Sequence, residues 1–160
     1  MLKPTGVHVC TSESSNSGLS VSITVDRAAL SPCIAVTPSA GRDPWKFPFD
    51  YNDTNFGDAA NSAVKCIADH LRIPKAEQPK VTELLKVLRR TFTEGEALSL
   101  EARIGISPDG ALEVHGARFD FDDAAFKSAG RHEAIYKLRD NQNEVPEEAE
   151  AAKDGIVYVK

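Results

Sequence analysis

The stretch "LSLEARIGISPDGALEVHGARFDF", residues 98–121, decides the fold. Two segments rich in apolar residues, 98–106 and 111–121, flank the tetrapeptide Ser107-Pro108-Asp109-Gly110. Asp-Gly suits left-handed backbone positions, so the pattern predicts a β-hairpin. A second hairpin is expected upstream. In "LSVSITV" (19–25), Leu19, Val21, Ile23 and Val25 alternate with polar residues, as in a strand with one buried face. "DRAALSP" then reads as a turn and "CIAV" (33–36) as the returning strand, while "GVHVC" (6–10) suggests a further short strand before the Ser-rich "TSESSNSG".

Between the hairpins the periodicity changes. Residues 37–56, "TPSAGRDPWKFPFDYNDTNF", read as a long irregular connection. Trp45, Phe47 and Phe49 are expected to pin it to the body, the alternative being an exposed patch for a partner. A helix over 58–71 follows from Ala60, Val64, Ile67, Ala68 and Leu71, with Asp58 as its cap and Pro74 beyond its end. A second helix over 80–93 would bury Val81, Leu84, Leu85, Leu88 and Phe92. The tail suggests a short helix at "HEAIYKL" (132–138), an acidic helix at "PEEAEAAK" (146–153), a break at Gly155 and a last strand "IVYV" (156–159). Hairpins dominate, so the expected class is α+β: one domain with a mainly antiparallel sheet packed by two or three helices.

Composition narrows the function classes. A net charge of −5 argues against a nucleic-acid or anionic-membrane binder, whose footprint is usually basic. Lys80, Lys86, Arg89 and Arg90 form a local basic stretch, read as the solvated face of the second helix. Cys10, Cys33 and Cys66 are odd in number and far apart, which fits reduced thiols in an intracellular protein better than a disulfide framework. His8, His70, His115 and His132 show no zinc spacing. No signal, transit or transmembrane segment is visible in the residues given, and the compartment is left open.

The order of these pieces carries a resemblance. "SITVDRAALSP", two helices, "ALSLEARIGISPDGALEVHGARFDFDDAAF" and then "IYKLRD…EVPEEAEAAKDGIVYVK" together resemble the β subunit of succinyl-CoA synthetase. The matching pieces are Asp26-Arg27, Leu100 to Ile104, Pro108-Asp109-Gly110, Gly116-Ala117-Arg118, Phe121 to Ala125, and Ala151 to Tyr158. ATP-citrate lyase is a more distant relative of the same kind. The resemblance implies the second lobe of an ATP-grasp fold, which in that family holds a nucleoside triphosphate with Mg²⁺ between two lobes and works with a separate subunit carrying a phosphohistidine. Such relatives work in the mitochondrial matrix or the bacterial cytoplasm. On this reading residues 1–160 are a single lobe, without the family's first ATP-grasp lobe and CoA-ligase domain. The family's Gly-Gly loop shrinks here to "SAGRDP" (39–44).

The resemblance also implies where a metal would bind. The family's ligands are the Asn of an "E-I-N-P-L" strand and the Asp of "D-A-K"; aligned from Pro108-Asp109-Gly110, those positions are Ala102 and Gly116. Neither has a side-chain oxygen for a hard cation. A shift of one residue would bring Glu101 near the first position, at the cost of turning it to the other face of the strand. The resemblance puts Arg118 in the place of the "D-A-K" lysine, as a candidate phosphate partner, and so implies Glu101 and Arg118 as the candidate remnant of a nucleotide cleft.

Asp120, Asp122 and Asp123 invite a metal reading of their own, but strand alternation separates Asp123 from the other two. Carboxylates in such a turn commonly fix the backbone or cap a helix, and the run is read as structural. No His matches the family's phosphohistidine. His115, on a strand, is read as a packed or solvated side chain.

Two functions follow as expectations. The first is a degenerate, non-catalytic ATP-grasp lobe without cofactor, acting through a protein partner or self-association at the former cleft face. The alternative is an acid–CoA ligase component, succinate–CoA ligase-like, needing other chains or lobes and using ATP or GTP with Mg²⁺. Neither implies nucleic acid or membrane.

Overall fold

A computed structural model describes residues 18–38, 42–52, 55–122 and 146–153. The chain divides into two compact units, residues 13–131 and a smaller unit that contains residues 132–160. In the larger unit a five-stranded sheet has the order β3-β2-β1-β4-β5, with every neighbouring pair antiparallel. Two helices pack on it, giving the α+β class expected of an ATP-grasp lobe. In the smaller unit, α3 (Pro146–Lys153) is the acidic helix expected from sequence. The expected strands at 6–10 and 156–159 and helix at 132–138 lie outside the described residues.

Both hairpins form. β1 (Leu19–Asp26) and β2 (Ser31–Thr37) are joined by a turn in which Asp26 Oδ1 accepts the Ala28 N–H at 3.0 Å. β4 (Ala97–Ile106) and β5 (Leu112–Phe121) are joined through the Ser-Pro-Asp-Gly turn. There the Gly110 N–H donates to Ser107 O at 2.9 Å and the Ser107 N–H to Ala111 O at 2.9 Å. Only Gly110, at φ +87°, takes the left-handed conformation, as in a three-residue hairpin loop.

One expectation is corrected. Within 37–56, read as irregular, Trp45–Pro48 forms β3, paired with β2 through Ile34↔Phe47 and Val36↔Trp45. Four residues ending in proline give little strand signal, and an edge position tolerates the missing N–H. Phe49 is buried and meets Phe56 edge-on at 5.1 Å, so the pinning role holds for it. Trp45 stays partly exposed, 5.5 Å from the His70 ring.

α1 (Phe56–Leu71) buries Ala59, Ala60, Ala63, Val64, Ile67 and Ala68, the helical stripe of its sequence. It starts two residues before the expected point. Asn55 takes the cap position without a side-chain cap bond, its carbonyl side chain accepting the Asp50 N–H instead. Asp58 therefore lies in the first turn, where its charge complements the helix dipole. Arg72, at φ 55°, ends the helix, and the Ile73 N–H closes back on Ala68 O at 3.0 Å.

α2 (Gln78–Glu94) buries Val81, Leu85, Leu88 and Phe92, while Leu84 is half-buried. Its basic residues are largely solvated: Lys80 pairs with Glu77 at 2.8 Å and Lys86 with Glu83 at 2.8 Å. Arg89 lies over the Phe56 ring at 5.1 Å and so ties α2 to α1.

The core lies between these helices and one sheet face. Val21, Val36 and Ala102 form one cross-strand row, and Ile23, Ile34 and Leu100 the next. Each of the larger side chains contributes roughly 1.5–3 kcal/mol by leaving water.

Candidate functional site

Residues paired across strands share a face of the sheet, so the register fixes which side chains can meet. On the face opposite the core, one row runs Lys46, Ala35, Ser22, Glu101, Arg118. A neighbouring row runs Thr37, Ser20, Arg103, Gly116, and a third includes Cys33, Thr24, Ser99 and Asp120. This polar face is built from the hydroxyl and charged positions that alternate with the core residues of β1 and β4.

Glu101 and Arg118, the expected cleft remnant, stand directly opposite one another across β4 and β5. Glu101 Oε1 also accepts the Ser20 hydroxyl proton. Arg118 Nε donates to Asp120 Oδ1 at 3.3 Å, and the Ser99 hydroxyl donates to Asp120 Oδ2 at 2.8 Å. The Ser99 hydroxyl, then Arg118, hold the Asp120 carboxyl below the usual aspartate range. Asp120 therefore braces β4 against β5. Asp122 follows the end of β5, and Asp123 lies outside the described residues.

The two aligned metal positions do not meet. Ala102 is paired with Ala117 and is 1% exposed, facing the core beside Leu100 and Ile104. Gly116 is paired with Arg103 and lies in the polar row. A Cβ at Gly116 would find nothing within 4 Å. As a pair, Ala102 and Gly116 cannot address one ion, and the residue beside Gly116 on the polar face is Arg103. Sequence reasoning passed over Arg103 because an alignment counts positions, whereas the pleat decides which face each position serves. A break of register on β5 between the Arg103 and Ile104 pairings marks the same point.

A Mg²⁺ ion asks for several oxygen ligands, and these residues do not supply them. Glu101 is the carboxylate next to the Arg103–Gly116 pair, and Asp120 is already bound to Ser99 and Arg118. Among the described residues no three of His, Cys, Asp and Glu gather where they could hold a metal.

Other candidates are placed as follows. His115 lies against Gly105 on the polar side of β4. Burial raises the Cys33 thiol, which sits near the ion pair of Lys46 with Asp26 at 3.0 Å. Burial, then the Asp69 charge, raises the Cys66 thiol. Cys10, His8 and His132 lie outside the described residues. A shallow groove of about 560 Å³ runs between α1 and α2 on their solvent side. Lys65, Lys86, Asp69 and Glu83 line it, which makes it a surface of mixed charge, on the helices rather than on the strands that carry Glu101 and Arg118. No described helix is long and apolar enough to cross a membrane.

Comparison with known proteins bears on ancestry. The chain is 31% identical over 147 residues to the succinate–CoA ligase [ADP-forming] subunit β of Opitutus terrae, an alignment covering 87% of this chain. It is homologous to the succinate–CoA ligase β subunit. The mitochondrial subunit β of Neurospora crassa is 26% identical over 163 residues and 96% of this chain, and that of Ehrlichia ruminantium is 32% identical over 96 residues and 59%. The chain spans only 37% and 36% of the length of the first two relatives, and 24% of the third. No family model matches it.

Proposed function

We propose that this chain is a degenerate, non-catalytic ATP-grasp-type lobe that serves as a binding or interaction module without a bound cofactor. One observation carries the reading. Ala102 lies in the core and bare Gly116 faces Arg103, so the polar face lacks the paired oxygen donors of a working Mg²⁺ site. Phosphoryl transfer is largely positioning plus neutralisation of charge by metal and cationic groups, so this loss removes the main catalytic element. The remaining polar face meets another protein or a second copy of the chain. Melting the protein with ATP or GTP in the presence of Mg²⁺ tests this. The expected result is no shift, and a rise of several degrees at millimolar nucleotide overturns the reading. Light scattering then distinguishes self-association from a monomer.

A second reading is an ATP- or GTP-dependent acid–CoA ligase component, completed by other lobes or chains. The relatives' name and the direct pairing of Glu101 with Arg118 favour it. Nucleotide-dependent stabilisation requiring Mg²⁺ would support it.

A further inference from the structure

We propose that Arg103 supplies, from the protein itself, the positive charge that a divalent cation would otherwise bring to the polar face of β4 and β5, and that it thereby excludes such a cation. The proposal deepens the non-catalytic reading above by naming the residue that keeps the face free of metal.

The register places the Arg103 backbone directly opposite Gly116, where a missing side chain leaves open space. Glu101 is two residues earlier on the same strand and face, about 7 Å away along it. Arg118 stands across from Glu101. The carboxylate nearest the open space thus shares its face with Arg103 on its own strand and Arg118 on the neighbouring one, and is held by the Ser20 hydroxyl.

A divalent ion entering beside Glu101 would meet a face that carries two arginines, Arg103 and Arg118, and whose nearest open position, Gly116, offers no side-chain oxygen. Both arginines are exposed, and Arg118 is partly committed to Asp120. Arginine stays protonated throughout the ordinary pH range, so the exclusion persists wherever the protein is folded. An acidic group approaching this face meets a guanidinium directly and has no bridging ion.

The test uses Mn²⁺ alone as probe on the full 160-residue chain, read by electron paramagnetic resonance and by paramagnetic broadening in NMR spectra. The unaltered protein should leave Mn²⁺ free, and resonances around Glu101 should stay sharp. Arg103→Asn combined with Gly116→Asp restores oxygen donors on one face and should tighten Mn²⁺ binding at least roughly tenfold. Circular dichroism checks that the variant is folded. Gly116→Asp alone, with Arg103 retained, should bind Mn²⁺ no better than the unaltered protein, whereas Gly116→Asp with Arg103→Ala should show broadening around Glu101; binding by Gly116→Asp alone would count against the role of Arg103. Site-specific Mn²⁺ binding by the unaltered protein overturns the proposal, as does a folded pair of variants that bind no better. Because no nucleotide is present, either result is separate from the melting test of the functional reading.

Discussion

The imidazole of His115 lies so close to Gly105 that a Cβ at Gly105 would come within 2.5 Å of its Nε2. The glycine is needed for this approach, since its backbone is not in the left-handed region. Gly105→Ala should destabilise the chain by about 1 kcal/mol, the low end for overpacking because an exposed side chain can give way. Adding His115→Ala should recover most of the loss. A double-mutant cycle by urea denaturation checks the coupling, and strictly additive effects would argue against it.

Ala102→Asn puts the aligned family ligand into the core. The amide would enter a site lined by Leu100, Ile104 and Val21. We expect a loss of roughly 1–3 kcal/mol for burying an unpaired polar group, with no gain in Mn²⁺ binding. Chemical denaturation with a parallel metal titration measures both. Gained binding would mean that residue 102 reaches the polar face.

Leu30 is 86% exposed at φ 52°, so its side chain pays for a left-handed backbone without packing in return. Leu30→Gly relieves that strain but adds freedom to the unfolded chain, leaving a net gain of about 0.5 kcal/mol. A small rise in melting temperature is the expected outcome.

Stability should fall in acid. Lys80, then the Leu112 N–H donated to Glu77 Oε2 at 3.2 Å, lower the Glu77 carboxyl from its ordinary value of 4.5. The Ser107 hydroxyl lowers Asp109 from 3.8, Lys46 lowers Asp26 and Ser99 lowers Asp120. For each, the unfolded chain binds the proton more readily than the folded one. The contribution is therefore full above the unfolded value and lost as pH falls through the lower folded value. Melting temperature should be level near neutrality and drop below about pH 4.5, with Glu77→Gln making the drop shallower.

Leu85, fully buried on α2, is the sharpest test of the core. Leu85→Ala should cost roughly 2–5 kcal/mol, read from the denaturation midpoint at constant slope.

Alternation in Leu19 to Val25, the helical stripes of α1 and α2 and the Pro-Asp-Gly turn were enough to set the α+β class, because each encodes a local geometry with its own period. The motif order also carried the ancestry. β3 escaped because four residues ending in proline leave almost no periodic trace, and pairing with β2 stabilises them. The polar face was half legible: Glu101 and Arg118 were found together, whereas Arg103 was not. Which side of a pleated strand a residue serves depends on the partner strand's register, including the break on β5 near Gly116. Only the assembled sheet settles that, since backbone hydrogen bonds between distant segments determine the register.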